Sequence, residues 1–115
     1  MNTEDIMKLA ASFAVKRKDH RDFLVGAAAI RADGAIVVSR NGNTLKPTHA
    51  SHAESRLMKK AGHGSVVFVV RIRNDNGNTA MAKPCAKCQA LLKSKGVVLV
   101  YYTSGPDKAY EIMKL

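Results

Sequence analysis

Four side chains in this sequence have the types and spacing of a hydrolytic metal centre. His52 and Glu54 stand in Ser51-His52-Ala53-Glu54, and Cys85 and Cys88 stand in Pro84-Cys85-Ala86-Lys87-Cys88. These are the only two cysteines in the chain. Three residues apart, they lie on one face of a helical turn, which is a chelating geometry. A helix N-terminus at that point favours thiolates through its partial positive charge. His52 adds a neutral nitrogen donor. Two thiolates, one imidazole and Zn²⁺ sum to zero charge, and three protein ligands leave the fourth tetrahedral position open, as catalytic zinc requires. A water in that position ionises near neutral pH. Glu54 lies two residues beyond His52 and so does not share its helix face. Its carboxylate is therefore placed to take a proton from that water rather than to bind the metal.

Each piece alone has a plainer reading. Glu54 could close a capping box with Ser51, a lone histidine is usually a surface or core residue, and Cys-x-x-Cys could be a redox pair. The compound pattern is what favours zinc: a proline directly before the cysteine pair, and His-x-Glu on the preceding helix. The helix would bring its own need, because no Ser, Thr, Asp or Asn stands just before Cys85 to cap it. Metal-bound sulfur is expected to accept some of those N–H bonds.

The elements that must position these residues can be read from periodicity. Ile6, Leu9, Ala10, Phe13 and Ala14 predict a helix from Thr3, a plausible N-cap, to about Lys18. Apolar runs at Phe23–Ile30 and 35–39, around Asp33-Gly34, predict a hairpin. The small residues Gly26 to Ala29 would let another element approach closely. A second helix is expected from Ser51, ended by Gly62 and Gly64, and then a buried strand over Ser65–Arg73. A third helix should run from Pro84 to Ser94, stopped by Gly96, before a strand at Val97–Thr103. The segment 109–115 reads as an antiparallel strand in preference to a helix. The strand–helix–strand units imply parallel pairing. The expected architecture is α/β, in three α-β-α layers around a mixed sheet of four or five strands. Both motifs then fall at helix starts along one edge of the sheet, where ligands gather in open α/β folds.

Composition bounds the rest. The 115 residues, 46% of them hydrophobic, suit one domain spanning 1–115. The N-terminal residues lack the pattern of a secretory signal, and no apolar run is long enough for a bilayer. A cytoplasmic protein with no membrane partner is the expectation, in keeping with two cysteines that make no disulfide framework. Lys and Arg number 19 against 9 Asp and Glu, a formal charge of +10 spread along the chain. This suits either a solvated basic surface or a phosphorylated or polyanionic partner.

The pattern His-x-Glu followed by Pro-Cys-x-x-Cys resembles the signature of the cytidine deaminase-like superfamily. Phe23-Leu-Val-Gly-Ala-Ala28 is similar to that family's first strand, and Val97-Val-Leu-Val-Tyr-Tyr102 resembles the strand after its cysteine helix. The likeness covers nearly the whole chain. It implies Zn²⁺ held by His52, Cys85 and Cys88, with Glu54 as general acid/base. It implies further that Asn43 (with Asn41 a lesser candidate) binds sugar or base, that the Ala53 amide contacts the base carbonyl, and that Phe23, Val25 and Ala27 wall the pocket. Ordinary core is nearly as good a reading of Phe23 and Val25, and turn residues of the two asparagines. His49 would lie near the pocket mouth, and His20 and His63 on the surface. The chain departs from the family in its short segment after the last predicted strands, and it lacks the aromatic and loop motifs of the polynucleotide cytosine deaminases. The first reading is therefore hydrolytic deamination of cytosine in a nucleoside or nucleotide, in a homo-oligomer, dimer or tetramer. A deaminase of single-stranded DNA or RNA is the alternative, favoured by charge but opposed by only three Phe, three Tyr and no Trp for stacking. A non-catalytic zinc module of the same fold is the third.

Overall fold

Helix α1 (Thr3–Val15) starts from a side-chain cap. Asn2 accepts the Asp5 N–H on Oδ1 at 2.9 Å, and its carbonyl takes the Ile6 N–H. Asn2 rather than Thr3 is thus the cap, because its side-chain oxygen reaches the N–H of the third helical residue. The chain then forms β1 (Phe23–Ile30), β2 (Ile36–Arg40), α2 (Ala53–Ala61), β3 (Val66–Arg73), β4 (Thr79–Ala80), α3 (Ala86–Ser94), β5 (Leu99–Thr103) and β6 (Tyr110–Lys114). This computed structural model describes residues 2–15, 23–41 and 52–115, without the side chains of Phe23 and Ser55. The expected extension of α1 to Lys18 lies outside them.

One mixed sheet carries everything, in the order β2-β1-β3-β5-β6. The β1–β2 hairpin and the β1–β3 and β5–β6 pairs are antiparallel, and β3–β5 is parallel across α3. The C-terminal segment is the antiparallel strand anticipated. The sheet has six strands, not four or five. The addition is β4, which pairs with Arg71 and Ile72 just past the point where β5 leaves β3. Two residues are too few to show a period, so nothing in the sequence marked it. The turn before it is held by Arg73, whose Nε and NH2 donate to the two Asp75 carboxylate oxygens at 3.1 and 2.8 Å. That hydrogen bond keeps the exposed Asp75 carboxyl below its ordinary pKa.

Strand alternation sorts the core into two layers. Leu24 and Ala28 of β1 and Phe68, Val70 and Ile72 of β3 pack on Ile6, Met7, Ala10 and Ala14 of α1. Ala27, Ala29, Val67 and Val69 face the other way, onto Leu57, Met58 and Ala61 of α2 and Leu92 of α3. The three-layer arrangement follows directly. On the second face the helices end against each other's loops: Gly64 N–H donates to Lys95 O at 3.1 Å. A Cβ on Gly96, itself at φ +76°, would press on the Gly64 nitrogen.

Gly26 sets the distance between α1 and the sheet. A side chain there would overlap the Ala10 carbonyl oxygen, which is backbone and cannot rotate aside. Replacing Gly26 with Ala should force α1 outward and destabilise the protein by about 1–3 kcal/mol or more. The midpoint of urea unfolding measures this, and an unchanged midpoint would show that α1 does not sit so close.

Candidate metal centre

His52 and Cys85 occupy equivalent places. Each is the N-cap of its helix, in extended conformation (φ −63°, ψ 146° and φ −66°, ψ 166°), and neither side chain makes a capping hydrogen bond. This corrects two expectations. Helix α2 is capped by His52 and not by Ser51, which places Glu54 at the second helical position rather than the third, where a capping box needs it. The Cys85 sulfur does not cap α3 either. Both side chains are instead turned toward each other, across the gap between the two helix starts.

The resulting distances can be tested against a metal. His52 Nδ1 lies 3.9 Å from Cys85 Sγ and 3.5 Å from Cys88 Sγ. Tetrahedral zinc with bonds of about 2.3 Å to sulfur and 2.05 Å to nitrogen separates such donors by about 3.6 Å. All three ligand atoms fall within 4.8 Å of one another. Among the described residues, this is the one group of three or more potential ligands found so close together. Two soft sulfurs and an imidazole suit zinc chemically as well as sterically.

Local packing explains the convergence. Cys88 and Leu92 bury one side of α3, while Cys85 is exposed at its start. Leu57, fully buried, fixes α2 on the same sheet face. Truncating a side chain packed like Leu57 or Leu92 typically costs about 2–5 kcal/mol, so the two helix starts are held by the core. Ahead of α3, Ala82 N–H donates to Thr103 O at 2.8 Å. Gln89 Nε2 donates to the Pro84 carbonyl, also at 2.8 Å. Gln89 thereby fixes the turn that carries Cys85. Sequence reasoning passed over it, although its position four residues after Cys85 places it over the first turn of α3.

The remaining candidates can now be placed. Glu54 is buried, at 6% exposure, and Ala53 is buried beside it. Ala27 is buried and Val25 half-buried on the α2–α3 face of β1. Asn41 is engaged in the fold: Oδ1 accepts the Val25 N–H at 3.2 Å while its own N–H donates to Val25 O at 3.0 Å. It locks the end of the hairpin, which agrees with its plainer reading. His63 is exposed. Asn43, His20, His49 and Ser51 lie outside the described residues, as does the Phe23 side chain. Arg71, which the sequence offered only as charge, is half-buried and registers opposite Val25. Its Nη1 donates to Met81 O at 3.4 Å. A separate groove of about 760 Å³ lies on the other sheet face, between α1 and the ends of β3 to β6.

Fold and cluster together define a candidate three-donor zinc site at the edge of an α-β-α sandwich. The family model for the cytidine and deoxycytidylate deaminase zinc-binding region matches residues 1–104, and the chain belongs to that family. No curated protein sequence matches it. Among solved structures it is similar to cytidine deaminase from Burkholderia pseudomallei, at TM-score 0.76 and 17% identity, covering 99% of this chain and 93% of that one. It is also similar to cytidine deaminase from Mycobacterium leprae, at TM-score 0.67 and 21% identity, covering 97% and 93%. The dCMP deaminase of cyanophage S-TIM5 aligns at TM-score 0.61 and 25% identity, covering 94% and 89%.

Replacing Cys88 with Ser should remove bound zinc, since a buried hydroxyl is a far poorer ligand than a thiolate. Metal analysis of the purified variant should fall from about one zinc per chain to background. Retention of full zinc would place the ion elsewhere.

Proposed function

We propose that this protein deaminates cytosine hydrolytically in a nucleoside or nucleotide, yielding uracil and ammonia. What supports the proposal is a cluster of three donors together with a buried Glu54 that follows His52 by two residues in the chain. Zinc held by His52, Cys85 and Cys88 supplies Lewis acidity, which brings the ionisation of water down to neutral pH. Among the described residues the cluster offers no fourth donor, which favours an open catalytic position over a closed structural one.

Glu54 then performs the proton transfers. Its carboxylate takes a proton from the attacking water and delivers it to N3 of the base as the new C4–O bond forms. It next passes the second proton to the exocyclic amine, and the C4–N bond breaks to release ammonia. Burial suits this role, because it keeps the carboxylate out of competition with bulk water. In this reading the Ala53 amide donates to the base carbonyl, Asn43 binds the sugar, and Phe23, Val25 and Ala27 wall the pocket. The enzyme works in the cytoplasm as a homo-oligomer. A second reading, action on single-stranded DNA or RNA, is favoured only by the +10 charge. A salt-sensitive shift of labelled oligonucleotide at micromolar protein would support it, and no shift would remove it.

Glu54→Gln should keep about one zinc per chain while ammonia release from cytidine, deoxycytidine and their monophosphates falls by about 10²–10⁴-fold or more. Activity that survives this change would remove Glu54 from the mechanism. A wild-type chain that binds zinc yet releases no ammonia from any of these substrates or from single-stranded DNA or RNA would favour the non-catalytic zinc module.

A further inference from the structure

The two outer edges of the sheet are finished differently. At the β2 edge, Asn41 N–H bonds to Val25 O and Arg31 N–H to Ala35 O. In an antiparallel ladder this alternation turns the N–H and C=O groups of Ile36, Val38 and Arg40 outward. Helix α2 covers two of those carbonyls. Lys60 Nζ donates to Val38 O at 2.9 Å, and Arg56 NH1 donates to Arg40 O at 3.2 Å.

At the β6 edge, Leu115 N–H bonds to Val98 O at 3.1 Å and Ser104 N–H to Ala109 O at 2.9 Å. The same alternation turns the main-chain groups of Tyr110, Ile112 and Lys114 outward. Among the described residues no side chain covers them. Their own side chains are exposed, Tyr110 at 41% and Ile112 at 53%. They continue an aromatic row in which Phe68 stacks on Tyr101 at 4.7 Å and Tyr101 meets Tyr110 at 6.2 Å. Helix α1 packs on β1, β2 and β3, and leaves this part of the face open. An uncovered edge with exposed apolar side chains is a template for pairing with another strand.

Charge selects the partner. A chain at +10 repels its own copy over most of its surface. Around β6 the charges balance instead: Glu4, Asp107 and Glu111 stand with Lys8, Lys108 and Lys114. The strand also complements itself. Paired antiparallel about Ile112, it sets Ile112 against Ile112 of a second copy and Lys114 against the ring of Tyr110. The lysines therefore lie at opposite ends of the joint, and each ammonium can reach over the face of a Tyr110 ring. We propose that β6 is the interface of a two-fold dimer of this chain, in which the two sheets join edge to edge. Such a contact closes on itself and buries both edges at once.

Sedimentation velocity of the zinc-loaded protein at tens of micromolar should show a species of twice 12.4 kDa. Ile112→Lys should weaken its association at least about tenfold. Ile112→Pro deletes the outward N–H while leaving the β5 ladder intact, and should do the same with zinc content unchanged. Ile36→Lys, on the covered edge, should leave the dimer in place. A wild-type chain that stays monomeric throughout this range overturns the proposal. So does an assembly indifferent to both Ile112 variants.

Discussion

Everything at the metal centre depends on two helix starts meeting on one face of the sheet. His52 and Cys85 stand at the N-caps of α2 and α3, and Cys88 follows one turn inside. An N-cap side chain normally satisfies its own helix. Here both are turned outward, to within 4 Å of each other. That departure is possible because the helices are already placed by Leu57 and Leu92 beneath them, and by the glycine-lined contact between the loops at their far ends. The positive ends of two helix dipoles then converge where the two sulfurs sit.

The sheet serves this convergence by keeping its two faces apart. Alternation in β1 sends Leu24 and Ala28 to α1 and Ala27 and Ala29 to the face that carries the site. Gly26 lets α1 approach until its backbone touches the strand. The thin strand β1 therefore seats a helix on one side and lies under the site helices on the other. The groove under α1 and the metal cluster consequently belong to opposite faces of the sheet, and neither intrudes on the other.

Much of this was legible in the residues. Periodicity located three helices and the longer strands, and the run Gly26-Ala27-Ala28-Ala29 announced a close approach. The cluster of His52, Cys85 and Cys88 was legible because metal chemistry restricts residue type and local spacing together. The failures have a common cause, which is that local patterns compete. Ser51-x-x-Glu54 satisfies a capping box, yet His52 takes the cap position, and Asn2 outcompetes Thr3 one helix earlier. Strand β4 escaped because it exists only through tertiary pairing with Arg71 and Ile72. Gln89 and Asn41 hold main-chain groups that no one-dimensional pattern connects. The contrast between the two sheet edges likewise depends on Arg56 and Lys60 reaching across from another element.

The outward-facing N-caps also bear on how long the protein survives in a cell. A helix whose cap residue looks away keeps unsatisfied N–H groups in its first turn and frays more easily. Zinc held by His52 and the cysteines would tie both first turns to one point, and its binding energy would become folding energy. A zinc-poor chain would then be expected to open locally at both helix starts, where a protease could enter. Zinc supply would set the abundance of this protein as well as the fraction of it that is loaded.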